Sequence, residues 1–375
     1  MLSPTPFSLC CALLLCLPLA VIFTTTTTTT SSTNENPSRR SVSTTNNNQT
    51  TLPPPPPLPE NDDLLFRLAA RVNPKPSPSG SPKKLAFMFM TTAPLPLAPF
   101  WELYFFQNQT QNKTKLFNIY IHADPSSHYD PPFSGVFSGR VIPSKPTQRF
   151  TPSLISAARR LLAHALLHDP SNAMFALLSS TCIPLHSFNF TYTTLIRSKK
   201  SFIEILKNEP GTYGRYVARG PDAMLPEVPL QSFRIGSQFF VLTRRHARLV
   251  VKDQRLWSKF KLPCVRWDTC YPEENYFPTL LTMQDPSGCV PATLTHVDWN
   301  GRSDGHPRTY QAFEVGPELI HSLRRDTPRY GDDRTGNESD TFLLKRQYPF
   351  LFARKFSPES LLPLMDIAND VIFRD

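Results

Sequence analysis

KLAFMFMTTAPLPLAPFWELYFFQNQTQNKTKLFNIYIHAD, residues 84–124, is the segment that decides the fold. Its two ends, Lys84–Met90 and Leu116–Ala123, are compact apolar runs of strand length. Between them, Pro94–Phe106 fits a helix once its prolines are past. A strand–helix–strand opening predicts an α/β protein, with a mostly parallel central sheet flanked by crossover helices. In such sheets ligands bind beyond the carboxyl ends of the strands. His122 and Asp124 stand at such an end. Asp124 reads either as a turn residue before Pro125 or as a contact for a ribose or uracil group.

Downstream the pattern continues. Thr151 or Ser153 is placed to cap a helix running to about His168. Leu154, Ala157, Ala158, Leu161, Leu162 and Leu166 supply its buried face, and Arg159 and Arg160 are expected to point outward. Met174–Leu178 is a third strand, followed by the polar turn SSTCIPL, Ser179–Leu185. Ser201 opens another short strand, SFIEIL. The loop GTYGRYVARG, Gly211–Gly220, sets Arg215 and Arg219 beside Tyr213 and Tyr216. Such a loop is ordinarily solvated, but its arginines suit a phosphate or a sugar. In Phe233–Arg245 the triplet Gly236-Ser237-Gln238 precedes the apolar strand Phe239–Leu242, and Thr243 caps the next helix. Glycine at a strand entrance admits a close backbone or ligand.

Cys264–Thr282, CVRWDTCYPEENYFPTLLT, carries the densest chemistry. Pro272 suits a first helical turn. Glu273 and Glu274 follow it, and the helix dipole favours acids there. A carboxylate at the lip of a helix whose other face is apolar can also serve as a general base. Pro291–Val297 is a late strand leading into HVDWNG, His296–Gly301, where Trp299 could stack on a sugar or belong to the core. Glu318–Arg325 reads as a short helix, and Tyr330–Ser339 as a charged, flexible stretch. Phe350–Ser357 sets Arg354 and Lys355 among aromatics, as surface charge or as cations for a diphosphate. Pro358 opens a terminal helix.

The amino-terminal region differs in kind. Phe7–Phe23 is one uncharged apolar run, at the short limit for a membrane span and longer than a usual signal-peptide core. It reads as a signal anchor, with residues 1–6 as a short cytoplasmic tail. No Lys or Arg precedes it, whereas Arg39 and Arg40 follow. Residues 24–83, with TTTTTTT and PPPPP tracts, read as a disordered stalk. Residues 84–375 remain as a luminal domain. Asn48, Asn108, Asn112, Asn189 and Asn337 each open an N-x-S/T sequon. Cys182, Cys264, Cys270 and Cys289 lie in the body and permit two disulfides in an oxidising compartment. Cys264 and Cys270, nearest the paired acids, are expected to be in disulfides, with partners left open. The net charge of +10 admits anionic partners. In a lumen that means a nucleotide diphosphate rather than nucleic acid. This layout is that of a single-pass type II Golgi membrane enzyme.

No zinc-type Cys or His spacing, no Asp-x-Asp in the folded body, no G-x-S-x-G elbow and no Walker loop is present. Neither a cofactor nor a metal site is therefore expected. Adjacent acids at a helix start diverge, so a glycoside hydrolase using Glu273 and Glu274 as flanking carboxyls is a weak third reading.

Six segments together resemble one family: FNIYIHAD (117–124), LLSSTCIPL (177–185), SFRIGSQFFVLTR (232–244), CYPEENYFPTLL (270–281), HVDWNGRSDGHPRTY (296–310) and FLFARKFSPESL (350–361). In order and spacing they are similar to the plant branch of the core-2/I-branching β-1,6-N-acetylglucosaminyltransferases, glycosyltransferase family 14. The resemblance implies a GT-A-type fold, a UDP-sugar donor, inversion at the anomeric carbon and independence from divalent metal. It implies Glu274 as the catalytic base and Lys355 as a diphosphate contact, with Arg324, Arg325 or Arg334 as its second cation. It places Asp124 in the donor segment and Trp299 in the acceptor segment, while Arg215 and Ser237 are substrate candidates. N-acetylglucosamine or glucuronic acid would be the transferred sugar, and a glycan of arabinogalactan type the acceptor. Two positions depart from plant relatives, which usually carry Glu within the helix SLISAARRLL and Trp at Phe233. A non-catalytic carbohydrate-binding relative is the alternative.

Overall fold

In the computed structural model the residues described are 58–76, 81–106, 115–301, 305–332 and 348–375. The apolar run Phe7–Phe23, Arg334 and four of the five sequons lie outside them. Among the described residues no helix is long and apolar enough to cross a membrane.

The expected strand–helix–strand opening is present. It follows a first helix, α1 (Asp62–Ala69), and comprises β1 (Lys84–Thr91), α2 (Ala98–Phe106) and β2 (Phe117–Ala123). Then come α3 (Ser153–His168), β3 (Asn172–Ser179), β4 (Ile183–Pro184), α4 (Phe188–Arg197) and β5 (Ser201–Phe202). The middle of the chain gives α5 (Thr212–Tyr216), β6 (Val241–Thr243), α6 (Arg244–Lys252), α7 (Arg255–Phe260) and α8 (Pro272–Gln284). It closes with β7 (Cys289–Val290), β8 (Thr295–Val297), α9 (Pro317–Arg325), β9 (Phe352–Arg354) and α10 (Leu361–Asp366).

The main sheet has the order β2-β1-β3-β6-β5-β7, and a small second sheet runs β4-β9-β8. Strands β1, β2 and β3 are parallel, in continuous register from Leu85 opposite Phe117 to Thr91 opposite Ala123. The sheet is mostly parallel, as expected, and β6 is the exception. It runs antiparallel to both β3 and β5, so the sheet is mixed.

Alternation along β1 shows why the strand is apolar throughout. Leu85, Phe87 and Phe89 face a core shared with α2, α4, β9 and α10. Ala86 and Met88 face a second core built from α1, α3, α6 and α8. With both faces covered, polar alternation is not needed. The first core is aromatic: Phe87 meets Phe105 edge-on at 5.1 Å, and Phe105 stacks on Phe117 at 4.4 Å.

Two expectations are corrected by the segment that precedes β1. Residues 58–76, read as stalk, are folded here. Asn61 caps α1 through Leu64 N, and Leu65, Phe66 and Ala69 are buried against α3 and α6. Because α1 covers that side of α3, Arg159 and Arg160 do not point outward but are fully buried. Arg159 lies over the Phe66 ring at 4.5 Å and donates to Asp253 O at 2.7 Å. Arg160 donates to Glu60 O at 3.0 Å and to Asp62, and also to Pro143 O. The start of α3 differs too. Its N-cap is Pro152 without a side-chain cap. Thr151 and Ser153 instead close the preceding turn, with Thr151 Oγ1 donating to Gln148 O and Ser153 Oγ accepting from Gln148 N. The Thr243 cap of α6 is as expected, accepting from His246 N.

Candidate active site

The carboxyl ends of β1, β2 and β3 lie side by side. Asp124 N donates to Thr91 O at 3.0 Å, and Phe356 N, one residue past Lys355, donates to Thr181 O at 3.1 Å. The turn after β3 and the end of β9 therefore adjoin the strand ends where a ligand is expected.

Asp124 is buried and holds a loop. Its carboxylate accepts from Ser126 N on one oxygen and from Thr147 N and Oγ1 on the other, at 2.8, 2.7 and 2.5 Å. Burial opposes the charge, but these hydrogen bonds outweigh it and hold the carboxyl below its ordinary range. Asp124 thus ties Thr147 to the end of β2.

Pro272 takes the first position of α8, and the two acids after it are separated by the fold. Glu273 is buried, and one of its oxygens lacks a hydrogen-bond partner. Burial pushes its carboxyl up to about 7, with Glu274 adding to the rise and Arg149 and Arg215 opposing it. Glu274 faces outward with a third of its side chain open (31 %), and Arg215 Nη1 donates to its Oε2 at 2.6 Å. Arg215 lies in turn over the Tyr271 ring at 4.5 Å. The dipole argument treats the two acids alike; packing does not.

The main chain at Glu274 is fixed as well. Gly236 N donates to Glu274 O at 2.8 Å, and Ser237 is the next residue. A Cβ on Gly236 would fall 2.0 Å from Glu204 O, so the expected close approach is to backbone. This brings in Glu204, a half-buried acid that the sequence pattern passed over inside SFIEIL. Burial pushes its carboxyl up to about 7, Arg329 opposes the shift, and the nearby Glu209 and Glu274 add to it.

From Glu274 a chain of contacts leads back to the strand ends. Tyr271 meets the Phe150 ring at 5.5 Å, and Phe150 also meets Trp267 at 6.2 Å. Arg149 contacts the His306 imidazole and donates to Gly305 O at 3.1 Å. Lys355 Nζ lies 3.3 Å from His306 Nδ1. Arg354 is half-buried over the Phe239 ring at 4.5 Å, close enough to Glu274 for their charges to interact. The structure thus brings together Glu274, Arg215, Ser237 and, through this chain, Lys355.

It does not bring Arg324 or Arg325 there. Arg324 donates to Leu185 O and Ile372 O at 2.7 and 2.6 Å, clasping the carboxyl-terminal segment. Arg325 is exposed at the end of α9. Trp299 is half exposed beside the Asn300–Gly301 turn. Arg149, Glu204, Tyr271 and His306 were not singled out in the sequence. Only Glu204, a lone acid within an apolar run, offered a signal.

Cys264 and Cys270 are bonded to each other, and Cys182 and Cys289 are free and buried. The body therefore holds one disulfide instead of two. It closes a short loop that packs on α5 and the turn after it, with Val265 N and Arg266 N donating to Ala218 O and Thr269 Oγ1 to Gly214 O. Among the described residues no group of three or more His, Cys, Asp or Glu is placed to hold a metal ion.

Glu273 carries a stability prediction. Its folded-state value of about 7 lies above the ordinary value of 4.5. The folded state therefore holds a proton that the unfolded chain has lost, and stability falls as pH rises between those values. The cost is on the order of 3 kcal/mol by pH 8. Glu273→Gln removes this contribution, so the variant should gain on wild type between pH 5 and pH 8. Urea midpoints of both proteins at the two pH values measure it, and parallel pH trends would contradict it.

Arg149 and Lys355 thus meet at His306 near the strand ends, and the lip of α8 carries a carboxylate held by Arg215. The core-2/I-branching enzyme family model matches residues 85–324, well over half of the chain, and the protein belongs to that family. A glycosyltransferase of rice (Oryza sativa subsp. japonica), Glycosyltransferase BC10, is 32 % identical over 330 residues, covering 80 % of each chain.

Proposed function

We propose that the protein is an inverting, UDP-sugar-dependent glycosyltransferase of GT-A type that forms a β-linkage on a glycan hydroxyl. The observation that carries this reading is the Arg215–Glu274 pair. It is a part-exposed carboxylate oriented by a guanidinium and linked by contacts to Lys355. Glu274 takes the proton from the acceptor hydroxyl as its oxygen attacks the anomeric carbon. The bond from that carbon to the UDP β-phosphate oxygen breaks on the opposite face, and UDP leaves with the bonding pair. Proton removal by a positioned base contributes roughly 10²–10⁴-fold. Lys355 stabilises the charge growing on the diphosphate, and the alignment of two bound sugars supplies much of the remaining acceleration. Transfer of N-acetylglucosamine or glucuronic acid to an arabinogalactan-type acceptor is the specific form we favour. The setting is the Golgi lumen, with Phe7–Phe23 as anchor; Asn189, exposed on α4, is a sequon open to glycosylation.

The test is release of UDP from a panel of UDP-sugars with a glycan acceptor present. Protein cations take the place of a metal in this reading, so turnover should persist near its untreated value in excess EDTA. Turnover lost in EDTA and restored by manganese would overturn the metal-free mechanism. An absence of turnover over the whole panel would overturn the enzyme.

A further inference from the structure

We propose that the disulfide-closed loop Cys264–Cys270 carries an outer acceptor subsite, where Trp267 stacks on a sugar unit of a glycan chain beyond the unit that receives the transfer. The proposal rests on the glycosyltransferase reading above and names the acceptor class for it, a neutral oligosaccharide rather than a single sugar.

The first observation is exposure on a braced loop. Trp267 keeps 70 % of its surface open and Val265 71 %. The loop is held by its cross-link and its main chain, not by burying these side chains. Cys264 is bonded to Cys270, Cys270 N donates to Trp267 O at 3.2 Å, and Val265 N and Arg266 N donate to Ala218 O. Trp is highly buried on average, so a ring held open in this way calls for an occupant. A platform whose backbone is fixed in advance also loses little freedom when a ligand settles on it.

The second is position. Trp267 meets the Phe150 ring at 6.2 Å, and Phe150 meets Tyr271 at 5.5 Å. Arg215 lies over Tyr271 and donates to Glu274. The rings therefore lead outward from the base, half-buried at Tyr271 and Phe150 and open at Trp267. Phe150 has φ +65°, the only non-glycine residue with positive φ among the described residues. A bulky residue keeps that conformation only where its surroundings impose it. Here it supplies the ring that joins Trp267 to Tyr271.

The third is chemistry. Arg266 and Asp268, exposed on either side of Trp267, offer hydrogen-bond donors and acceptors. An open aromatic face flanked by such groups suits a sugar, which presents C–H groups on its face and hydroxyls around its edge. The same charges interrupt the apolar area that a protein partner would bury at the centre of an interface.

The experiment measures binding of methyl β-galactoside and of β-galactan oligosaccharides of increasing length, by calorimetry on the full-length protein with UDP present. UDP release from UDP-N-acetylglucosamine and UDP-glucuronic acid is followed alongside. In wild type the affinity should rise with chain length. Trp267→Ala should weaken binding of the longer chains about 10-fold relative to methyl β-galactoside, the value of one aromatic contact. Trp267→Tyr should recover part of that loss, and unfolding at the wild-type temperature shows that both variants are folded. Affinity independent of length in wild type, or equal losses for short and long acceptors in Trp267→Ala, would overturn the subsite and leave the transferase reading intact. An altered oligomeric state in Trp267→Ala with galactan affinities unmoved would overturn it in favour of a protein contact. Long galactans that bind through Trp267 without any UDP release would uphold the subsite and overturn the transferase. Wild-type protein that binds no galactan would overturn the occupant named here.

Discussion

Glu274→Gln is expected to lower sugar transfer by roughly 10²–10⁴-fold, the worth of a positioned general base. The substitution keeps shape and a hydrogen-bonding oxygen but removes the basic carboxylate. Arg215 can still donate to the amide oxygen, so the α5–α8 contact should persist and the fold with it. UDP affinity should change little, because Lys355, assigned to the diphosphate, lies at the other end of the contact chain. Glu273→Gln should leave turnover nearly intact, since that side chain is buried. Turnover numbers and UDP affinities of both variants decide the matter. An active Glu274→Gln beside an inactive Glu273→Gln would put the base one residue earlier. Activity in both would move it off α8.

The second large effect concerns residues 58–76. A chain beginning at Lys84 would uncover the second core where Leu65, Phe66 and Ala69 pack. Arg160 would lose Glu60 O and Asp62, Arg244 would lose Asn73 O, and Arg248 would lose Ala70 O. Burying a large apolar side chain is worth about 1.5–3 kcal/mol. Each of these hydrogen bonds from a charged donor is worth about 1.5–3 kcal/mol. Several such losses together reach the whole stability of an ordinary domain, about 5–15 kcal/mol. The chain from Lys84 should therefore be insoluble or lack a cooperative unfolding transition, while one beginning at Leu58 should unfold cooperatively. Equal stability of the two would show that α1 is dispensable.

The same segment shows where sequence reading reached and where it stopped. Strands β1, β2 and β3, the Pro272 start of α8, the Thr243 cap and the close approach at Gly236 were all legible. Each is written in a few adjacent residues. The burial of Arg159 and Arg160 was not, because their cover comes from a helix about a hundred residues away in a stretch whose neighbours are Pro- and Thr-rich. The direction of β6 was hidden for another reason. A three-residue strand has no orientation of its own and takes it from the strands it joins. At the site, Glu274 and Lys355 stood in recognisable motifs. Arg149 and Phe150 sit in an irregular loop, where no local pattern shows that they reach His306 and Tyr271. Glu273 and Glu274 share every local property, so only three-dimensional packing could tell them apart.

The six-residue spacing of Cys264 and Cys270 bears on how the chain matures. In an unfolded chain, encounter between two thiols falls with the length of the loop they close. The native partners are the nearest in sequence among the four cysteines of the body, so random oxidation is biased toward the correct bond. Cys182 and Cys289 withdraw into the interior as folding proceeds, with burial pushing both thiols away from the reactive thiolate. On the luminal reading proposed above, the native cross-link should form with little shuffling, and maturation should depend little on disulfide isomerases.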